Sequence, residues 1–291
     1  MGQFLALTFT GLSMGMVYAM LAVGLLLLLR AVGVMNFAQG MLLALGAYTA
    51  YYLVTLHGLS LWIAIPIMIV FLAAFGAVFM FTCYYPTRNN PFKDGVMVCT
   101  IGASMIIEEL CMIVCGSKFG MLPALLDGSL IIGDFVLRKQ YIAIFCVCAL
   151  IMALVWLLFD KLYAGRAMQA AAQNSYAARL IGIPSLITVL FTYIIVVEVA
   201  GFAGYLVAPV FLVRTTLSAI QQKAFAGIVL GGFGSIKGAF LGCLLIGLIE
   251  SYSVYFTTVY KDVFVFGALL LVLAIKPSGL LGASVGYQDK A

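Results

Sequence analysis

Long runs of apolar residues follow one another along the chain, separated by short gaps that carry charge, glycine or proline. A helix that crosses a bilayer needs about 20 mostly apolar residues, and runs that meet or approach this length recur throughout the chain. A shorter apolar piece, residues 224–233, cannot cross alone and is predicted to be a re-entrant or broken helix. The pattern predicts membrane spans at residues 4–29, 39–56, 61–82, 96–115, 141–159, 186–208, 238–256 and 262–276.

Composition agrees with a polytopic membrane protein. The 291 residues are 65% hydrophobic and 9% charged, whereas a soluble domain carries about 25% charged residues. The predicted fold class is therefore all-α, a polytopic transmembrane helical bundle of about eight spans, with residues 1–291 forming a single transmembrane domain. The seven cysteines lie mostly inside apolar runs and form no CxxC pair, which predicts small core side chains rather than a metal site.

The basic residues behind the net charge of +5 cluster in short gaps between spans, so they indicate how the chain is oriented in the membrane. We therefore expect no nucleic-acid partner. If the polar gap at residues 165–184 is cytoplasmic, alternation of the spans places the N-terminus outside and the C-terminus inside. The basic residues predicted inside are Arg30, Arg88, Lys93, Lys161, Arg166, Arg179, Lys237, Lys276 and Lys290. Those predicted outside are Lys118, Arg138, Lys139, Arg214, Lys223 and Lys261.

The polar gap itself, GRAMQAAAQNSYAARLIGIP at residues 165–184, predicts two short helices joined by an elbow. Asn174 and Ser175 are N-cap residues that interrupt an alanine-rich helix and start a second one. Gly182 suits the C-cap of that second helix, and Pro184 ends it.

One face of the second short helix is apolar. Ala177, Leu180 and Ile181 share this face at helical spacing, whereas Arg179 lies on another. A helix this short is marginal in water without a partner. The residues alone leave two interpretations open, namely a connector that lies on the bilayer surface and a docking element for another protein.

Several blocks of the chain resemble one family of transporters. The segment begins GRAMQA at residue 165 and continues AARLIGI from residue 177, which resembles the cytoplasmic coupling segment of LivH-type permeases of branched-chain amino acid ABC importers. The stretch at residues 11–48, with its NFAQG element, is similar to the opening span of that family. Further blocks occur in the family's order, namely AGFAG (200–204), VLGGFGSIKGAFLGCLLIGLIE (229–250) and KPSGLLG (276–282).

The resemblance implies a chain that forms half of a transmembrane pathway in the bacterial cytoplasmic (inner) membrane. It implies a LivM-like second permease, two cytoplasmic ATPase subunits and an extracytoplasmic substrate-binding protein as partners. The chain contains no G-x-x-x-x-G-K-[ST] loop, so we expect no cofactor here and expect ATP and Mg on the ATPase subunits. The residues of the coupling segment that we expect to act in coupling are Gly165, Arg166, Ala170, Ala177, Ala178, Arg179, Leu180 and Gly182.

Four polar residues are candidates for the substrate pathway. Glu108 and Glu198 fall near the middle of predicted spans, where a carboxylate faces the bundle interior, a water-filled cavity or another helix. Asn36 and Gln39 lie in the NFAQG element, where a broken helix can present amide groups to a substrate. Gln39 replaces a histidine common in the family, and Glu198 stands where the family generally has a small residue. For all four, a purely structural hydrogen bond is the alternative interpretation.

One short motif also matches a class of enzymes. Gly11-Leu12-Ser13-Met14-Gly15 matches the G-x-S-x-G pattern of hydrolases, but it lies inside an apolar run, where a small-residue helix contact explains it. We therefore expect no catalytic residues and no enzymatic activity.

Urea, short amides and other small polar solutes are alternative substrates for a transporter. A stand-alone channel or secondary transporter is an alternative mechanism, and it would need no coupling segment.

Overall fold

The structure, a computed structural model, describes residues 2–33, 35–88, 95–116, 120–132 and 135–281. Lys93, Lys118 and Lys290, to which the sequence assigns a membrane side, lie outside the described residues. The helices are α1 (Gly2–Val32), α2 (Gln39–Ala50), α3 (Leu61–Phe79), α4 (Gly95–Cys115), α5 (Lys139–Lys161), α6 (Tyr163–Gln173), α7 (Ser175–Leu180), α8 (Ser185–Val207), α9 (Ile220–Gly231), α10 (Ile236–Phe256) and α11 (Lys261–Ile275). Two π-helical turns, Tyr51–Leu56 and Met80–Tyr84, extend α2 and α3, and a 3₁₀ turn, Thr215–Ala219, precedes α9.

Helices long and apolar enough to cross a membrane dominate the fold, which confirms an all-α polytopic bundle. The described residues contain six of them, namely Gly2–Val32, Leu61–Tyr84, Gly95–Cys115, Lys139–Lys161, Ser185–Val207 and Ile236–Phe256. The predicted spans at 39–56 and 262–276 are occupied by α2 with its π-helical turn and by α11, which has only 15 residues. The total of eight spans therefore stays a prediction. Residues 224–231 of the piece at 224–233, predicted to be re-entrant or broken, lie in the 12-residue helix α9 (Ile220–Gly231).

A small β-hairpin between α4 and α5 was not expected from the sequence. Strand β1 (Ser129–Ile132) pairs antiparallel with β2 (Phe135–Arg138), and Leu130 lies opposite Leu137 in the ladder. The Lys139 N–H donates to the Gly128 carbonyl oxygen at 3.1 Å and closes the open end of the hairpin. Each strand has only four residues, too few for an alternating pattern to stand out in so apolar a chain.

The chain divides into two compact units, of which the first comprises residues 1–23, 128–145 and 220–291. In this unit α10 packs against α9, α11 and the first half of α1. A methyl group added at Gly11 would lie 2.9 Å from the Gly247 carbonyl oxygen, so the two backbones are in direct contact. The Ser13 hydroxyl is fully buried and donates to the carbonyl oxygens of Phe9 and Tyr141, each at 2.9 Å. The G-x-S-x-G match is therefore a small-residue helix contact, as expected.

The second unit comprises residues 24–127 and 146–219, and in it α8 packs on both α2 and α3. Glycines make these approaches possible. A methyl group at Gly46 would overlap the backbone of Gly201, and one at Gly204 would overlap the Leu43 carbonyl oxygen. Close helix packing through small residues is the usual means of association inside a bilayer. The single domain predicted for residues 1–291 stays a prediction.

Candidate functional site

The coupling segment begins with α6, which is fastened to the end of α5. Gly165 is buried, and a side chain there would overlap the carbonyl oxygen of Leu158. The Gln169 amide donates to the Phe159 carbonyl oxygen at 2.7 Å. The Arg166 guanidinium donates to the backbone carbonyl oxygen of Asp160 at 3.4 Å. The last carbonyls of a helix lack intrahelical partners and carry partial negative charge. These two side chains therefore cap α5 and fix α6 against it.

The elbow between α6 and α7 is built by local hydrogen bonds at Asn174. The Asn174 Oδ1 atom accepts from the backbone N–H groups of Tyr176 at 3.1 Å and Ala177 at 3.0 Å, which confirms an N-cap at this position. Ser175, the other predicted cap residue, is instead the first residue of α7.

The end of α7 follows the predicted glycine cap. Gly182 has φ of +85°, a left-handed conformation that glycine adopts without a steric penalty. Its N–H donates to the Arg179 carbonyl oxygen at 3.1 Å, and the Ile183 N–H donates to that of Ala178 at 2.9 Å. These bonds satisfy the orphan carbonyls of α7. Pro184 then stands at the N-cap of α8.

The inner side of the elbow is a small apolar core. Ala178 is 2% exposed and packs with Ala171 and Ile183, while Ala167 and Ala170 lie against this cluster. Ala178 and Ala170, both expected to act in coupling, therefore lie on the inner side of the elbow, and Ala178 does not face outward.

The outer side of α7 is apolar and open. Tyr176, Leu180 and Ile181 are 71%, 73% and 74% exposed, and Ala177 is exposed beside them. These four residues form what we call the α7 face. Arg179 is also exposed. A rigid elbow thus presents three large apolar side chains to its surroundings, as the sequence suggested for Leu180 and Ile181.

Asn36 and Gln39 are brought together at the start of α2. The Asn36 Oδ1 atom accepts from the Ala38 N–H at 3.0 Å, and its amide nitrogen lies 3.4 Å from Gln39 Oε1. Gln39 is fully buried, and a methyl group at Gly24 would lie 2.6 Å from Gln39 Nε2. That nitrogen has no hydrogen-bond partner among the described residues. Asn36 thus stabilises the backbone at the helix start, whereas Gln39 holds an unused donor.

Glu198 lies on the side of α8 that packs against α3. Both carboxylate oxygens are buried and have no hydrogen-bond partner among the described residues, although the backbone of Ala73 lies beside them. Tyr205, two turns further along the same face of α8, also has a buried hydroxyl without a partner in the described part of the chain. Buried polar groups are normally paired. Glu198 and Tyr205 are therefore exceptions in need of a functional or structural reason.

Glu108 lies on α4 and is half-buried. It is close enough to Tyr48 and Cys111 to interact with them electrostatically. Tyr48 and Cys111 line an apolar cavity of about 460 Å³ with residues of α2, α3 and α4. Glu108 is therefore close to this cavity, whereas Glu198 faces the α3–α8 contact and Gln39 faces α1.

A charge cluster around the buried carboxylate of Glu250 in the first unit was missed by sequence reasoning. Glu250 on α10 accepts a hydrogen bond from the Tyr18 hydroxyl and lies 2.5 Å from the Lys223 ammonium and 3.0 Å from that of Lys261. Asp262 lies 3.0 Å from Lys223. The signal in the sequence was an acid inside a predicted span and a lysine directly before the short apolar piece at 224–233. The four charges balance, and they tie α9, α10 and α11 together.

Within the described ranges, no group of three or more histidine, cysteine, aspartate or glutamate side chains forms a metal site. Four cysteines, Cys83, Cys111, Cys148 and Cys243, are buried, and Cys146 is exposed.

Comparison with known proteins agrees with this architecture. Residues 7–274 match the family described as branched-chain amino acid transport system, permease component. The chain belongs to this family. It is 33% identical over 289 residues to the high-affinity branched-chain amino acid transport system permease protein BraD of Pseudomonas aeruginosa, a match that covers 94% of each chain. It is 29% identical over 297 residues to the permease protein LivH of Escherichia coli, covering 96% of each.

One solved structure shares the fold of the family member described here. It is titled PsaBC from Streptococcus pneumoniae in complex with Fab, and the similarity has a TM-score of 0.50 at 14% identity, covering 92% of this chain and 91% of that chain. The identity is too low to carry more than the fold. Together with the family match, it establishes a multi-pass membrane protein of the permease class.

Proposed function

We propose that this chain is the membrane-spanning permease subunit of an ATP-binding cassette importer for branched-chain or related amino acids. It forms half of the translocation pathway and pairs with a LivM-like second permease. Two cytoplasmic ATPase subunits, which hold ATP and Mg, drive it, and an extracytoplasmic binding protein delivers the substrate. The complex resides in the bacterial inner membrane. Support for the substrate class comes from the names of the relatives in Pseudomonas aeruginosa and Escherichia coli.

The observation that carries the coupling proposal is the exposed α7 face on a rigid support. An amphipathic helix of this kind binds by laying its apolar side chains in a groove of a partner. A motor that pushes on α7 moves α5 and α8 with it, because α6 is fastened to the end of α5 and Pro184 leads directly into α8. The face serves as the contact, and the core around Ala178 transmits the force.

The proposed pathway uses polar groups that the fold leaves unused. Gln39 Nε2 and the Glu198 carboxylate are buried without partners in the described chain, so each can bind a passing substrate without first breaking a hydrogen bond. An amide can serve the substrate carboxylate, and a carboxylate can serve its ammonium group. Glu108 contributes charge near the apolar cavity, and Asn36 positions Gln39.

The test is the double variant Leu180→Glu with Ile181→Glu in the assembled transporter. Both side chains are about three-quarters exposed, so the permease should fold and insert normally. An unpaired charge buried in an interface costs several kcal/mol, so we expect ATPase subunits to be lost on purification and leucine uptake to fall to background. The matched control is Ala164→Glu, which adds a charge at an exposed position of α6 outside the α7 face.

Wild-type ATPase recovery and uptake in the double variant would contradict the coupling proposal. Leucine transport by this chain alone in liposomes would replace it with a stand-alone transporter. Ala178→Asp separates contact from support, because it places a charge in the buried core of the elbow rather than on its surface. It should lower the melting temperature of the permease itself, which the exposed pair should leave unchanged.

A further inference from the structure

A polar cavity of about 650 Å³ lies in the second unit beside the elbow. Its walls come from the end of α1, the turn after α3, the helices α6 and α7, and the first two turns of α8. Three arginines line it, Arg30, Arg88 and Arg179. None of the described residues that line this cavity is acidic. The described lining residues therefore bring three positive charges and no negative charge to the cavity.

Backbone dipoles add to this charge. The first residues of α8, Ser185 and Leu186, are part of the wall, and the N-cap Pro184 provides no side-chain cap. The N-terminus of a 23-residue helix carries partial positive charge and unused N–H groups, which is the usual environment of a bound anion. Gln173 and Asn174 also line the cavity and bring side-chain amide groups to it.

We propose that this cavity is a binding site for a phosphate group, supplied either by the headgroup of an anionic phospholipid or by free phosphate. Guanidinium groups bind phosphate through paired, charge-assisted hydrogen bonds, and arginine suits this geometry better than lysine. The cavity lies where α1, α3 and α8 begin or end, and basic pockets between transmembrane helices on the cytoplasmic side bind lipid headgroups. The ends of spanning helices lie near the membrane surface, where both lipid headgroups and free phosphate are present.

The site has a consequence for coupling that rests on the proposed function. Arg179 belongs to α7, and Arg30 and Arg88 belong to the ends of other elements. A phosphate group held by all three joins the elbow to α1 and to the turn after α3 through a bound ion. The ligand would thus stiffen the segment that receives the motor, and its loss would loosen that segment without removing the α7 face.

Binding is measured on the full-length chain by two probes. One is radiolabelled inorganic phosphate, added to protein in an uncharged detergent. The other is phosphatidylglycerol, detected by native mass spectrometry after reconstitution in phosphatidylcholine nanodiscs with and without this lipid. We expect the variant Arg30→Gln, Arg88→Gln, Arg179→Gln to bind at least about tenfold more weakly, since each arginine provides charge-assisted hydrogen bonds. Arg138→Gln is the control, because it removes one positive charge from an exposed position of β2 outside the cavity lining.

The outcomes separate the sources. Retention of phosphatidylglycerol without binding of inorganic phosphate assigns the site to a lipid headgroup, and binding of both assigns it to phosphate in general. Binding of neither probe, equal loss in Arg138→Gln, or displacement of phosphate by leucine would overturn the proposal. If the triple variant does not fold, Arg179→Lys and Arg179→Gln replace it, and the glutamine variant should bind more weakly than the lysine variant. Phosphate and lipid binding are measured on the permease without ATPase subunits. A negative binding result therefore does not bear on the coupling proposal.

Discussion

The Glu250 carboxylate lies 2.5 Å from the Lys223 ammonium group, joining α10 to the short helix α9. Their side chains are only 9% and 13% exposed, and Lys261 adds a second ammonium at 3.0 Å from the same oxygen. The same two helices also meet through small residues, since a methyl group added at Gly242 would overlap the Gly227 carbonyl oxygen. The cluster therefore adds an ionic link to a helix contact that is already close.

Replacing Glu250 with glutamine should strongly destabilise the protein. Two lysines lose their shared partner, and removing one member of a buried ion pair costs about 3–5 kcal/mol. The melting temperature of the purified protein measures the loss. The control is Asp160→Asn, which removes an exposed pair with Lys161 at 3.6 Å and should cost less than about 1 kcal/mol. Equal effects of the two substitutions would show that the cluster contributes no special stability.

Alanine at Gly46 or Gly204 should separate α8 from α2. Each added methyl group would overlap backbone atoms of the facing helix, which cannot move as a flexible side chain can. We expect a destabilisation of about 1–3 kcal/mol, typical of an overpacked core, seen as a lower melting temperature. Gly102→Ala on α4 is the control, because nothing lies within 4 Å of its added methyl group. A melting temperature for Gly46→Ala as high as that of Gly102→Ala would contradict the close contact.

Removing the charge of Glu108 or Glu198, the two acids in the middle of predicted spans, should alter transport more than assembly. Glu108→Gln and Glu198→Gln keep the side-chain shape and remove the cost of a charge in the bilayer, so expression and melting temperature should be preserved. We expect at least one variant to change the rate of leucine uptake. Unchanged uptake in both, at normal expression, would leave these acids with a structural role only.

The orientation of the chain is tested by cysteine labelling in a cysteine-free background. Ala177→Cys lies on the exposed α7 face and should react with an impermeant maleimide only in inverted vesicles that lack the ATPase subunits, whereas Gln3→Cys should react in intact cells. Ala178→Cys is the matched control, because its side chain is 2% exposed and should react from neither side. Reaction of position 177 in intact cells would reverse the proposed orientation.

Local features of the chain were predictable from its sequence. The membrane class follows from apolar runs alone, since hydropathy over one helix decides insertion. The elbow at Asn174 and its end at Gly182 were also predictable, because a helix cap depends on hydrogen bonds within a few residues. The G-x-S-x-G match was interpreted correctly as a helix contact for the same reason, since no strand-to-turn pattern surrounds Ser13.

Only the tertiary structure decided which side of each helix faces which neighbour. Ala178 and Leu180 are two residues apart, yet one is buried in the elbow and the other is 73% exposed, because α6 and α8 cover only one side of α7. The cluster around Glu250 unites residues more than 200 positions apart, from Tyr18 to Lys261. Hydropathy and capping act over a few residues and are visible in the sequence, whereas burial and ion pairing depend on partners that folding alone brings together.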